Sequence, residues 1–401
     1  MPLMPTLAQR AHWLPASPIR KLAPAAEAAK ARGLKVFGLN IGQPDLETPK
    51  QYWEAINNAK IETLAYSPSE GFLSYRQALS AYYERFGVSV SPADVLVTTG
   101  GSEALLFGLM ACCDPGNEVL IPEPFYANYN SFATLAGLTV KPIPTYVENS
   151  FELPEPEAFE ALITPRTRAI IICNPSNPTG KVYDKPALEK LLTLCQQHDL
   201  YLMADEVYKE FVYDGKTFTS ILSLPNAEDY CLVVDSVSKR FSACGARVGS
   251  LVTRNEAVRA AALKMAQARL SPPTLGQVGG EALTHLPDSY FEGVRTEYVK
   301  RRDIVLEYLQ QIPGVVCPKV SGAFYVFPQL PVDDSERFAK WLLEDFSHEN
   351  TTLMVAPGPG FYSTPGQGKQ HVRIAYVLQE SDLRTAMEGL TLALEQYPGT
   401  L

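Results

Sequence analysis

Residues 235–250 read DSVSKRFSACGARVGS, and this stretch gives the strongest indication of the fold. Lys239 lies at its centre, behind an apolar run at 231–234 that predicts a buried strand. The end of such a strand is a common place for a functional side chain. A lysine amine held among apolar groups and other cations loses its proton more easily and becomes a nucleophile towards carbonyls.

Side chains of types that can bind phosphate flank this lysine in the sequence. Ser236 and Ser238 precede Lys239, and Arg247 follows it. Hydroxyl donors and a planar guanidinium suit a phosphate group. A lysine beside a phosphate site suggests pyridoxal 5′-phosphate (PLP), which joins its enzymes as a lysine Schiff base.

The stretch resembles the lysine-attachment signature of the class I/II aminotransferases, which have fold type I of the PLP enzymes. Ser-Val-Ser-Lys at 236–239 and Gly-Ala-Arg-Val-Gly at 245–249 have the family's spacing. Further landmarks follow in family order from Gly42 to Arg373, so the resemblance covers nearly the whole chain. Within this family, the sequence is similar to bacterial aspartate and aromatic amino acid aminotransferases.

The composition is that of a globular protein of 401 residues, 46% of them hydrophobic, which is long enough for two domains. The net charge of −9 argues against binding to nucleic acid or to an anionic membrane. The seven cysteines contain no C-x-x-C pair and the five histidines no H-x-x-x-H spacing. We therefore expect reduced thiols, a cytoplasmic location and no metal site.

The N-terminal segment lacks the apolar core of a secretory signal, and no apolar run approaches the length of a membrane helix. Arg10 and Arg20, with no acid before Glu27, faintly suggest a transit peptide. We favour an arm that docks on a partner subunit.

Strands and helices alternate between residues 95 and 235, which predicts helices on both faces of a mainly parallel sheet. The resemblance implies seven strands in this sheet. Beyond residue 289 a long charged helix and short strands predict a smaller α+β domain. We assign residues 1–45 to the N-terminal arm and part of the small domain, 46–289 to the large PLP-binding domain, and 290–401 to the small C-terminal domain.

The Gly-Gly-Ser-Glu-Ala turn at 100–104 joins a predicted strand to a predicted helix. Glycines let backbone N–H groups approach an anion, although such a pair is often only a tight turn. The resemblance assigns Gly101, Ser102 and Glu103 to the phosphate of PLP. It also implies that Tyr126 stacks on the pyridine ring, where flat packing suits an aromatic side chain.

Two further motifs carry polar residues at strand ends. The Asn-Pro-Ser-Asn-Pro-Thr-Gly loop at 174–180 resembles the family loop in which Asn177 binds the phenolic oxygen of the cofactor. Asp205 ends an apolar strand, where either a helix N-cap or a cationic ring nitrogen would satisfy its carboxylate. The resemblance favours the ring nitrogen and implies that Tyr208 contacts the same phenolic oxygen.

The resemblance also indicates residues for the substrate and for a second subunit. Arg373 matches the arginine that binds the α-carboxylate, and a planar fork suits this task. Gly42 would contribute its backbone N–H to the same carboxylate, beside Asn177. Tyr66 matches a tyrosine that reaches the phosphate of the neighbouring site, so the active enzyme would be a homodimer.

The distal side of the substrate is less specified. Some bacterial aspartate aminotransferases have lysine where this chain has Ser102 and threonine where it has Ile19. Strict aspartate specificity is therefore in doubt, although Arg20 could substitute. Ile19, Trp13 and Tyr126 could equally form a pocket for aromatic or aliphatic side chains.

The resemblance implies a PLP-dependent aminotransferase with Lys239, Asp205 and Tyr208 as catalytic residues. It would transfer the amino group of aspartate or of an aromatic or aliphatic L-amino acid to a 2-oxo acid, with 2-oxoglutarate expected, by a ping-pong mechanism through a lysine aldimine. A PLP-dependent cysteine-conjugate β-lyase would use the same cofactor residues. A regulatory PLP-binding module would need a basic DNA-binding domain, for which we see no room.

Overall fold

The computed structural model describes residues 5–401, so residues 1–4 of the predicted arm lie outside the described residues. The strands are β1 (Lys35–Gly38), β2 (Val95–Thr98), β3 (Glu118–Glu123), β4 (Thr139–Pro144), β5 (Thr167–Cys173), β6 (Tyr201–Asp205), β7 (Cys231–Ser236), β8 (Gly249–Val252), β9 (Tyr325–Val326), β10 (Thr351–Met354), β11 (Ala356–Pro357) and β12 (Val372–Ala375). The helices are α1 (Gln9–Trp13), α2 (Ala23–Ala31), α3 (Lys50–Asn58), α4 (Leu73–Glu84), α5 (Gly100–Cys112), α6 (Asn128–Ala136), α7 (Pro156–Glu160), α8 (Lys185–Gln197), α9 (Glu256–Arg269), α10 (Thr274–Thr284), α11 (Asp288–Gln311), α12 (Ser335–Glu344) and α13 (Glu380–Gln396).

Seven strands form the central sheet in the order β2-β8-β7-β6-β5-β3-β4. All pairs are parallel except those of β8, which runs antiparallel to β2 and β7. This confirms the predicted α/β class with a mainly parallel seven-stranded sheet. The sequence pattern did not locate β8, whose pairing of Gly249 with Ser236 returns the chain to the lysine turn.

Both faces of the sheet are buried under helices. Ile170 and Ile172 of β5 belong to one apolar core with α8, while Ile171 faces the core that contains α5. Alternate side chains of a strand point to opposite faces, so a strand that is covered on both sides must be apolar throughout. Truncation of one such isoleucine to alanine would cost about 2–5 kcal/mol.

The C-terminal region contains two smaller sheets. Strand β1 pairs parallel with β10, so an N-terminal strand completes a sheet of the C-terminal region. Strands β11, β12 and β9 form an antiparallel sheet, and α11 packs against α13. One of the short strands that the sequence predicts beyond residue 289, around Val315, is only an isolated bridge between Val316 and Gln329. The domain limits at residues 45 and 289 stay a prediction.

No helix within residues 5–401 combines the length and the apolar character that crossing a membrane requires.

Candidate active site

Polar side chains from several strand ends meet in one cavity of about 610 Å³. Strands β5, β6 and β7 are parallel, so their carboxyl ends lie at the same edge of the sheet, where ligands of open α/β sheets bind. The antiparallel sheet adds the opposite wall. The predicted site residues that line the cavity are Ile19, Gly42, Gly101, Ser102, Tyr126, Asn177, Asp205, Tyr208, Ser236, Ser238, Lys239, Arg247 and Arg373.

Lys239 lies in the turn that follows β7, and its Nζ donates a hydrogen bond to the carbonyl of Gly42 at 2.7 Å. Burial lowers the pKa of Lys239, and the charges of Arg373 and Arg247 act in the same direction. A larger fraction of its amine is therefore uncharged near neutral pH, which a nucleophile towards a carbonyl requires.

Glycines and hydroxyls form a narrow recess beside the lysine. Gly100 has a φ of +75°, and a Cβ there would lie 2.5 Å from Nη2 of Arg247. The Oγ atoms of Ser236 and Ser238 lie 2.6 Å apart. The close approach of Arg247 to the start of α5 requires glycine, and this donor set suits a phosphate group.

Asp205 ends β6 inside the cavity and accepts a hydrogen bond from the hydroxyl of Tyr129 at 3.0 Å. Its other oxygen accepts from the N–H of Val207 at 3.4 Å. Burial raises the pKa of Asp205 to about 6. A turn rather than a helix follows Asp205, so it is not a helix N-cap. Within residues 5–401 no lysine or arginine forms an ion pair with it, which leaves the carboxylate available to a cationic ligand.

Arg373 is buried in β12 and contributes a second set of donors. Its Nη1 donates to Oδ1 of Asn177 at 2.9 Å, and its Nη2 donates to the carbonyl of Asn40. Its Nε is buried without a hydrogen-bond partner in the part of the chain that the structure describes. A ligand carboxylate could satisfy this donor, since an orphaned buried N–H is costly.

Tyr208 reaches the cavity from the turn after β6, and its hydroxyl lies 2.8 Å from that of Tyr325. The sequence analysis did not find Tyr325. A signal was present, because a buried tyrosine in an apolar strand usually needs a partner for its hydroxyl.

A buried ionic cluster behind the cavity was also not predicted. Asp235 lies 2.6 Å from both Lys209 and Arg240, and Glu210 lies within 4 Å of the same two cations. Lys209 follows Tyr208 and Arg240 follows Lys239 in the chain. The cluster thus joins the two turns that carry these site residues, and removal of one member would leave an uncompensated buried charge.

Two predicted site residues do not line the cavity. The carboxylate of Glu103 accepts a hydrogen bond from the N–H of Thr99 at 2.8 Å and pairs with Arg269, so it stabilises the start of α5. The side chain of Tyr66 is 79% exposed. Trp13, proposed for an apolar pocket, is also largely exposed and lies outside the cavity lining.

Comparisons with known proteins show the family of the chain. A family profile described as "Aminotransferase class I and II" matches residues 35–390. An aspartate/prephenate aminotransferase of Thermus thermophilus is 35% identical over 374 residues, which cover 91% of this chain and 92% of that protein. An aromatic-amino-acid aminotransferase of Thermococcus litoralis is 32% identical, with 97% and 98% of the two chains covered. The solved alanine aminotransferase of Pyrococcus furiosus has a TM-score of 0.89 at 30% identity and covers 98% of this chain and 100% of its own.

The central sheet and the lysine-centred cavity define a fold type I PLP-dependent enzyme. The chain belongs to the class I and II aminotransferase family. It is an aminotransferase, its cofactor is PLP, and it transfers the amino group of an amino acid to a 2-oxo acid. The alternative of a cysteine-conjugate β-lyase is not favoured by these relatives.

The residues of the cavity fit PLP. A Cβ at Gly100 would overlap the guanidinium of Arg247, which lines the cavity together with Ser236 and Ser238. Asp205, at the carboxyl end of the neighbouring parallel strand β6, has no lysine or arginine partner among the described residues, and its carboxylate suits a protonated pyridine nitrogen. Lys239 lines the same cavity, and burial lowers its pKa.

Proposed function

We propose that the enzyme prefers L-amino acids with an acidic side chain, such as aspartate, and 2-oxoglutarate as the acceptor. The charge of the cavity supports this preference. Its lining contains four cations, Arg20, Lys239, Arg247 and Arg373, and Asp205 is the carboxylate among the described lining residues. PLP and the substrate α-carboxylate would engage the last three cations, which leaves Arg20 for a second carboxylate.

Each site residue has a proposed role in this reaction. Arg247, Gly101, Ser102, Ser236 and Ser238 hold the cofactor phosphate. Tyr126 stacks on the ring, Asp205 keeps the ring nitrogen protonated, and Asn177 and Tyr208 donate to the phenolic oxygen. Arg373 grips the α-carboxylate together with Gly42.

Bound PLP supplies an electron sink that stabilises the carbanion formed at the substrate Cα. Lys239 would be the general base, because its Nζ lies in the cavity and burial lowers its pKa. Its amine would take the proton from the substrate Cα and, as an ammonium, would deliver it to the former aldehyde carbon of the cofactor. The two half-reactions use one cavity in turn, so the first oxo acid leaves before the second enters.

An apolar preference has one supporting observation. Ile19 lines the cavity and packs against the apolar cluster around Phe327 and Phe361, so it offers an apolar wall. Aromatic or aliphatic amino acids are therefore the second candidate donors.

Arg20→Gln separates the two preferences. We expect kcat/KM for aspartate to fall about 10- to 150-fold and kcat/KM for phenylalanine to change little, because a charged hydrogen bond is worth about 1.5–3 kcal/mol. Arg10→Gln is the matched control, since Arg10 is exposed and does not line the cavity. An equal effect of Arg20→Gln on both substrates would refute the acidic preference.

We also propose a homodimer in the cytoplasm. Exposed apolar side chains lie on two segments that are tied together by bonds of Ser69 with Leu270 and of Thr274 with Ala65. The large exposed members of this surface are Leu64, Tyr66, Leu270 and Leu275. A second copy would cover these side chains, and Tyr66 would then reach the phosphate of the other site. Glu103 would act within its own subunit, where it supports the start of α5. The free cysteines support a reducing compartment.

A further inference from the structure

Tyr325 contacts several residues to which the proposed function assigns a role. Its hydroxyl lies 2.8 Å from the hydroxyl of Tyr208. Its ring centroid lies 4.6 Å from the guanidinium carbon of Arg373. A Cβ at Gly42 would overlap the hydroxyl of Tyr325, so the backbone at position 42 can pass this close to Tyr325 only as glycine. Tyr325 thus contacts both Tyr208, proposed to bind the cofactor, and Arg373, proposed to bind the substrate carboxylate.

We propose that Tyr325 is a positioning residue that orients the hydroxyl of Tyr208 towards the cofactor. This inference rests on the proposed roles of Tyr208 and Arg373. The hydroxyl of Tyr325 donates a hydrogen bond to the hydroxyl oxygen of Tyr208. The hydroxyl of Tyr208 is then oriented to donate its own hydrogen bond to the cofactor.

The direction of the bond follows from counting protons. A tyrosine hydroxyl has one proton to donate and can accept from a neighbour. Burial raises the pKa of both Tyr208 and Tyr325, so each hydroxyl keeps its proton at neutral pH. An acceptor in the cavity takes the proton of Tyr208, and Tyr208 can then only accept from Tyr325. Hydrogen bonds in such a chain strengthen one another.

The backbone fixes this arrangement. Tyr325 begins β9 and pairs with Ala375 of β12, two residues after Arg373. The rings of Tyr208 and Tyr325 meet edge to face at 5.6 Å, and Phe324 packs edge to face on Tyr208 at 5.2 Å. The hydroxyl pair therefore bridges the central sheet region and the antiparallel sheet, and it links the cofactor side to the arginine that binds substrate.

The charged and titratable groups around this pair come from every wall of the cavity. Arg373 faces Tyr325 from β12, and Tyr126 faces it from the segment before α6. Cys173 and Asp205 approach Tyr208 from the ends of β5 and β6. Lys239 is influenced by Arg373, Arg247, Asp205 and Cys244, so the titration of its Schiff base reports on the same surroundings.

Tyr325→Phe tests the proposal because it removes the hydroxyl and keeps the ring under Arg373. Donation by Tyr208 draws negative charge from the phenolic oxygen and weakens the attraction of that oxygen for the Schiff-base proton. Loss of the supporting bond should raise the pKa of the Schiff base by about 0.5–1 unit, a 3- to 10-fold change in proton affinity. The readout is the pH titration of the visible absorption of the PLP-bound protein without substrate.

Three further variants make the result specific. Tyr376→Phe is the matched control, since Tyr376 is equally buried and its hydroxyl donates to the carbonyl of Ala323 outside the cavity. Tyr376→Phe should not shift the pKa of the Schiff base. Similar melting temperatures of Tyr376→Phe and Tyr325→Phe would establish that both variants are folded. Tyr208→Phe should shift the pKa more than Tyr325→Phe, and the double variant should shift no further than Tyr208→Phe.

The outcomes separate the inference from its premise. A shift in Tyr208→Phe without a shift in Tyr325→Phe refutes the positioning role alone. No shift in either variant refutes the assignment of Tyr208 and the role of Tyr325 with it. Additive shifts in the double variant also refute the proposal, because Tyr325 would then act on the cofactor independently of Tyr208.

Discussion

Gly100→Ala is the sharpest test of the phosphate recess. The left-handed φ of +75° costs alanine about 1–2 kcal/mol of folding free energy. The new Cβ would lie 2.5 Å from Nη2 of Arg247, so the guanidinium must move away from the recess. A displaced Arg247 loses its charge-assisted bonds to phosphate, worth about 1.5–3 kcal/mol, and the Kd for PLP should rise about 10- to 150-fold.

Gly215→Ala is the control for backbone strain alone. Gly215 has a φ of +70°, and among the described residues no heavy atom lies within 4 Å of its added Cβ. Both variants should lose a similar free energy of unfolding in urea, whereas only Gly100→Ala should bind PLP more weakly in a fluorescence titration of the apoprotein. Equal PLP affinity in the two variants would refute the placement of the phosphate beside Arg247.

Two further predictions concern a buried acid and the proposed dimer. Burial raises the pKa of Glu206 to about 8, against 4.5 in an exposed glutamate, so the native state holds a proton that the unfolded state releases. Wild-type stability should therefore fall as pH rises from 5 to 8, and Glu206→Gln should reduce this loss by up to about 4 kcal/mol in urea unfolding; equal pH slopes in both proteins would contradict the raised pKa. Tyr66→Phe should raise the Kd for PLP about 3- to 10-fold, the strength of one hydrogen bond, and leave the dimer intact in sedimentation. A fully active monomer would contradict the shared site.

The apolar runs of the sequence were sufficient to predict most of the central sheet. A strand that is buried on both faces leaves a continuous apolar run, as at 169–173, and this run predicts the strand without knowledge of its neighbours in the sheet. Strand β8 was missed because its four residues, Gly249–Val252, follow an irregular loop and gain their structure by pairing with β2 and β7. Within the Gly-Gly-Ser-Glu-Ala turn, α5 already begins at Gly100, because the carboxylate of Glu103 accepts a hydrogen bond from the N–H of Thr99.

The site was predictable where the chemistry lies in a local motif. Lys239, Asn177 and Asp205 each stand in a short motif that resembles one of the family, and the structure brings the three residues to one cavity. Tyr325 was not predictable in this way, because its contacts come from chain segments far apart in sequence. The proposed contact of Tyr66 lies in the site of a second copy, and its position in the sequence gives no local sign of this contact.

The absorption spectrum of the PLP-bound protein tests the central claim most directly. The protein is titrated with single L-amino acids and no 2-oxo acid, in the wild type and in Lys239→Ala. We predict that the wild type converts its cofactor to the amino form and releases one 2-oxo acid per site, while a folded Lys239→Ala binds PLP and does not convert it. Near-normal conversion by Lys239→Ala, or a wild type that binds no PLP, would contradict the assignment of Lys239 and the site built around it.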